Sequence, residues 1–141
     1  MLAVKSDVFL DASDRIALTS TADQFHQRAV ALAETIATEQ RRVVTTEAVL
    51  LEVGNSLARR RYRQAAAALI RSVIADPRAT VEPITTTLFH RGLDLYEARA
   101  DKEWGLVDCL SFTVMWDRGL TEALTSDEHF EQAGFVALLR L

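Results

Sequence analysis

Apolar residues along this chain come in short contiguous runs and in longer stretches that repeat every third or fourth position, and the two patterns alternate. Ala3-Val4 and then Val8-Phe9-Leu10 predict a buried first strand that ends at Asp11. Thr21 with Gln24 makes a capping box, and Phe25, Ala29, Leu32, Ala33 and Ile36 follow at helical spacing, so a long amphipathic helix is expected there. Val43-Val44-Thr45 is a β-branched run fit for a second strand. Thr45 or Thr46 can cap the next helix, in which Val49, Leu50, Val53 and Leu57 form one stripe while Glu52, Asn55, Ser56 and Arg59 occupy another face. An alanine-rich helix with Leu69, Ile70, Val73 and Ile74 stops at Asp76-Pro77, because the residue before proline disfavours helical geometry. Val81 to Ile84 predicts a third strand, and Phe89, Leu93, Tyr96 and Ala100 mark a helix ending around Trp104-Gly105. Leu106 to Arg118 reads as a mostly buried helix closed by Gly119, and Leu120 to Leu124 as a strand. Thr125-Ser126-Asp127 caps a brief helix that Gly134 terminates, before a last strand at Phe135 to Leu139.

Strands alternating with helices predict an α/β fold: a mainly parallel central sheet of four to five short strands flanked by helices. With 141 residues and 49% hydrophobic composition, a single domain over 1–141 is expected. No apolar run approaches the roughly 20 residues of a bilayer span, and no signal-like start is seen, so no membrane contact and a cytoplasmic location are expected. Cys109 is the only cysteine, which excludes an internal disulfide and a cysteine-rich zinc site; a buried apolar role is expected for it. His26, His90 and His129 are scattered, without the spacing of a zinc protease, and are expected on the surface or in the core. Phosphate-binding glycine loops and a nucleophile elbow are absent, and Trp104 and Trp116 are expected in the core. A net charge of -4 argues against indiscriminate wrapping of nucleic acid. Locally, Arg59, Arg60, Arg61 and Arg63 form a dense basic run, read either as a solvated helix face or as a contact for RNA or a partner protein.

Four acids, Asp11, Glu52, Asp108 and Asp127, stand at the ends of apolar segments or just after them. In an open α/β sheet ligands bind beyond the carboxyl ends of the strands, so the fold itself would gather such acids. Two unit charges about 4 Å apart interact by about 4 kcal/mol at an effective dielectric near 20, so a shared acidic pocket calls for a divalent cation or else binds protons. Singly, each acid also suits a helix cap or strand end, Asp127 above all.

The segments Val8-Phe9-Leu10-Asp11-Ala12-Ser13, Thr46-Glu47 with Leu51-Glu52-Val53, and Asp101-Lys102 through Asp108, Asp127 and Phe135 resemble the PIN-domain nucleases, most closely the VapC toxins of bacterial toxin-antitoxin pairs. The resemblance runs through the chain in order, resting on helix pattern alone between Arg63 and Ala100. It implies a PIN-like three-layer fold and a metal-dependent endoribonuclease that cleaves tRNA or ribosomal RNA and is silenced by a small VapB-type antitoxin. The family's acidic quartet falls on Asp11, Glu52, Asp108 and Asp127, with Asp11 and Asp108 as the first ligands of Mg²⁺ or Mn²⁺ and Glu52 and Asp127 acting directly or through water. Ser13 and Thr125 stand where a hydroxyl can orient those carboxylates, or serve turn structure. Asp14-Arg15 after the first acid and Ser126 depart from the family pattern. The apolar residues of the first long helix and of the Glu52 helix are expected to supply a homodimer face. A catalytically idle PIN-like module binding RNA or protein, and a receiver-like signalling domain, are the alternative readings; the missing adjacent acid and late-strand lysine count against the second.

Overall fold

The computed structural model describes residues 6–141, so the Ala3-Val4 part of the predicted first strand lies outside the described residues. Five strands form one sheet: β1 (Val8–Leu10), β2 (Val43–Thr46), β3 (Ala79–Glu82), β4 (Glu122–Leu124) and β5 (Val136–Ala137), in the order β3-β2-β1-β4-β5. Every pairing is parallel. Helices α1 (Ala12–Thr19), α2 (His26–Thr38), α3 (Glu47–Ser56), α4 (Arg60–Ala75), α5 (Thr86–Ala98), α6 (Leu106–Arg118) and α7 (Glu128–Gln132) connect them, and a 3-10 turn spans Leu138–Arg140.

Burial on both faces explains the apolar runs. In β1, Phe9 points into a cluster with Val49, Val53, Phe112 and Phe130, while Val8 and Leu10 point into another with Ile36, Leu50, Leu124 and Leu138. A parallel strand covered on both sides reads as continuously hydrophobic. Because successive connections run one way from β1 to β3 and then cross to β4 on the far side of β1, the switch in strand order lies between β1 and β4. At such a point the flanking connections diverge and leave a crevice at the carboxyl ends. The receiver-like order of strands, 2-1-3-4-5, is a different topology, so that alternative fails at the level of the sheet.

Several local expectations are corrected. Helix α1 directly follows Asp11, where none was predicted, and α2 starts at His26 without a side-chain cap, so the Thr21-Gln24 box does not form; Asp23 Oδ1 instead accepts from Phe25 N at 2.8 Å. Strand β3 lies two residues earlier than predicted, in register with β2 from Val43↔Ala79 to Thr46↔Glu82, since Pro83 has no N–H to extend the ladder. Helix α5 ends at Ala98, releasing Trp104 to pack edge-on against Phe112, with ring centroids 4.9 Å apart. Its buried face is Leu88, Gly92 and Leu95, not the predicted Phe89-Leu93-Tyr96 stripe, and Phe89 and Tyr96 are exposed. β5 shortens to Val136–Ala137 because the chain turns into the 3-10 segment, and β4 begins at Glu122. Trp116 is half-exposed rather than core. The stripes of α2 and α3 expected at a homodimer face are turned inward: Ala29, Ile36, Val49, Leu50, Val53 and Leu57 are buried, leaving Leu51 outside. Cys109 is buried, its thiol pushed up to about 11 by burial and by Asp108.

Candidate active site

Each acid of the quartet leaves a different element at the crevice. Asp11 follows β1 and Asp127 follows β4, whereas Asp108 sits in the first turn of α6 and Glu52 midway along α3. The N-cap of α3 is Thr46, whose Oγ1 accepts from Val49 N at 3.1 Å, and Thr45 Oγ1 donates to Leu10 O at 2.8 Å, tying the end of β2, from which α3 leaves, to the end of β1. The Glu52 carboxyl is raised to about 7 by burial and then by the charges of Asp11, Asp108 and Asp127. Glu52 therefore lies in the field of the other three acids.

Asp11 is buried and held from one side. Ser13 Oγ donates to its Oδ2 at 2.8 Å and Thr125 Oγ1 donates to the same oxygen at 2.7 Å. Both hydroxyl oxygens in turn accept backbone N–H groups, Ser13 from Ser126 at 3.0 Å and Thr125 from Asp127 at 3.0 Å, so the loop after β4 is pinned to the first acid. Burial raises the Asp11 carboxyl to about 6, against the lowering effect of those hydroxyls; Asp108 adds a smaller upward push. Asp108 is raised by burial and by Asp127, while the Gly105 N–H, donating to its Oδ2 at 3.0 Å, and His129 oppose this.

Two groups near the quartet escaped sequence reasoning. His129 Nδ1 lies 3.1 Å from Asp108 Oδ2 and 3.4 Å from Asp127 Oδ1, bridging two acids, and its N–H donates to Asp127 Oδ1 at 2.9 Å. Its place two residues after the last acid was the available signal. Asp14 is also buried; its carboxyl is raised to about 6 by burial, opposed by Arg15, whose Nε lies 3.0 Å from Asp14 Oδ2. Nothing in the apolar pattern marks it.

Carboxylates raised by burial and, to a lesser degree, by one another's charge are a donor set that a hard divalent cation fits, because such ions take oxygen ligands and relieve the repulsion. Ligand atoms of Asp108, Asp127 and His129 all lie within 4.8 Å of one another. Among the described residues no helix is long and apolar enough to cross a membrane. Arg59, Arg60, Arg61 and Arg63 are exposed at the start of α4.

Residues 8–136 match the PIN domain family. The 23S rRNA-specific endonuclease VapC20 of Mycobacterium tuberculosis, from strains CDC 1551 / Oshkosh and ATCC 25618 / H37Rv, is 33% identical over 132 residues, covering 92% of this chain and 95% of the relative. The crystal structure of Mycobacterium tuberculosis VapC20, a Sarcin-Ricin loop cleaving toxin, matches with a TM-score of 0.82 at 30% identity over 92% of this chain and 97% of that one.

Proposed function

The chain belongs to the PIN-domain family, and from that premise we propose that it is a VapC-type toxin, a single-domain endoribonuclease that hydrolyses phosphodiester bonds of structured RNA with Mg²⁺ or Mn²⁺. The observation that supports this reading is that Asp108 and Asp127 lie with His129 within 4.8 Å of one another, with Glu52 in the field of Asp11, Asp108 and Asp127. Asp11 and Asp108 hold the cation directly, and Glu52 and Asp127 do so directly or through water. Ser13 and Thr125 occupy Oδ2 of Asp11 and so leave its other oxygen to face the ion. The ion, when bound, supplies positive charge to the scissile phosphate and acidifies water for in-line attack. Without the ion the Glu52 carboxyl is raised to about 7, by burial and then by Asp11, Asp108 and Asp127, so a bound cation competes with a proton there. Ribosomal RNA is the first substrate to try, since the similar VapC20 is specific for 23S rRNA.

The protein acts in the cytoplasm, where its RNA lies, and is silenced by a small VapB-type antitoxin that places a basic side chain among the acids. A homodimer would use Leu51 and Ile74, which the fold leaves exposed. Sedimentation of wild type against Leu51→Glu tests that contact: a dimer that the substitution does not weaken assigns the interface elsewhere.

Cleavage of total RNA and of ribosomes, with Mg²⁺ or Mn²⁺ and with chelator, decides the activity. Wild type should cut only with metal, and Asp11→Asn and Asp108→Asn should lose at least a hundredfold. Equal activity in all three proteins would remove the assignment. Intact RNA throughout, together with tight RNA binding, would favour the idle binding module.

A further inference from the structure

Six of the fourteen arginines pair with acids: Arg15 with Asp14, Arg41 with Glu122, Arg91 with Asp117, Arg99 with Asp101, Arg118 with Glu82 and Arg140 with Glu131. The cluster at the start of α4 is different. Arg59, Arg60, Arg61 and Arg63 are all exposed, and among the described residues none of them meets a carboxylate. Arg61 lies over the Tyr62 ring, 4.6 Å from its centroid, and Arg63 Nη1 donates to Ala58 O at 3.0 Å.

Their position on the helix is the unfavourable one for cations. Arg59 is the N-cap of α4 and Arg60 its first residue, at the positive end of the helix dipole, where anions are favoured. The first turn holds no acid and the last turn no basic residue, so the charge is arranged against the dipole at both ends. A cluster serving only solubility gains nothing from that placement, whereas free backbone N–H groups and guanidinium forks at one helix end together suit phosphate.

The connection places the same turn on the side of the sheet from which the acids emerge. Parallel strands β2 and β3 are joined by α3 and α4, so the chain leaves the carboxyl end of β2 and must return to the amino end of β3. Helix α4, with 16 residues, spans about 24 Å and delivers its last residue, Ala75, to the start of β3. Its first turn therefore lies towards the carboxyl edge, just past the break at Leu57 that ends the helix carrying Glu52. In a protein of net charge -4, this is a local basic rim beside an acidic crevice.

We propose that Arg59, Arg60, Arg61 and Arg63 grip backbone phosphates of the RNA strand flanking the scissile bond and so seat it over the acids. This inference rests on the RNA-cleaving reading above. Phosphate contacts of this kind position a nucleic acid without reading its sequence.

Arg59 and Arg60 make no side-chain contact that folding uses, so Arg59→Gln/Arg60→Gln tests the rim without disturbing the core. Arg71→Gln/Arg78→Gln removes the same charge from exposed sites further down the α4 connection and serves as the control. Fluorescence anisotropy with a synthetic RNA stem-loop in chelator, repeated across salt concentrations, reads binding; cleavage of the same RNA with Mn²⁺ reads KM and kcat. The rim variant should bind about tenfold more weakly near 0.1 M salt, with a salt slope lower by about 1 to 2 and a raised KM, while the control stays within about twofold of wild type. A rim variant indistinguishable from the control, when wild type cuts RNA, would overturn the inference and leave the nuclease reading intact. Wild type that neither binds nor cuts RNA would overturn both, and loss of association with an acidic partner protein at unchanged RNA affinity would assign the rim to protein.

Discussion

Thr125 gives its one hydroxyl proton to Asp11 Oδ2 and takes the Asp127 N–H on the same oxygen, so one buried side chain sets two acids of the site. Thr125→Val keeps the volume and loses both bonds. It should reduce RNA cleavage by roughly ten- to a hundredfold while the fold loses about 1–3 kcal/mol, the range for buried polar groups left without a partner; Thr125→Ser should restore most of the activity. Full activity in the valine variant would show that Asp11 needs no such support. The same hydroxyls explain why the first acid is a poor guide to local structure: Asp11 is the N-cap of α1 yet makes no side-chain cap bond. Its carboxylate is committed to the site, so the usual sign of a helix start is missing from the pattern. His129 was hidden for a related reason, since its bridging of Asp108 and Asp127 depends on α6 and α7 meeting, not on its neighbours in the chain.

Helix α6 carries Asp108 in its first turn and is held by Phe112, whose ring centroid lies 4.9 Å from Trp104, 5.0 Å from Phe130 and 5.7 Å from Phe135. Phe112→Ala removes the centre of that cluster and should cost about 3–5 kcal/mol by urea denaturation. A loss below 1 kcal/mol would mean the cluster repacks freely. On the neighbouring helix, a Cβ at Gly92 would lie 2.5 Å from Leu110 Cδ2 and 3.1 Å from its Cγ. Alanine raises helix propensity by about 1 kcal/mol, but overpacking a buried contact costs about 1–3 kcal/mol, so Gly92→Ala should be neutral to destabilising by up to about 2 kcal/mol. A clearly stabilised variant would show that α5 and α6 are not in close contact there. Gly92 is also why α5 was assigned the wrong face: the pattern counts large apolar side chains, while this helix docks through a residue that has none. By contrast β2, α3, α4 and α6 lay close to their predicted bounds, because their stripes, the Asp76-Pro77 stop and the Gly119 cap at φ 65° are local signals.

At the scale of the whole molecule, burying the acids together costs stability that a bound cation would return. Asp11 rises from 3.8 to about 6 and Glu52 from 4.5 to about 7. A carboxyl whose folded pKa is raised binds more protons folded than unfolded, so stability is greatest below the unfolded value and falls as pH rises through the window from about 4 to 7. In chelator the melting temperature should thus decline between pH 5 and pH 8. Mg²⁺ or Mn²⁺ at a hundred times its dissociation constant should add about 2.7 kcal/mol at pH 8, less at pH 5, and nothing in Asp108→Asn. A melting temperature that climbs across that window, or ignores metal, would show that the acids are not strained together. The sequence by itself determined the alternation of strands and helices and the likeness to PIN-domain nucleases, since periodicity and local caps are properties of neighbouring residues. Only the tertiary structure decided the strand order, the burial of Asp14, the inward turn of the stripes expected at a dimer face and the bonding of Thr125 to Asp11 across 114 positions. Those depend on which elements pack together, and burial and charge act through space between groups that the chain keeps far apart.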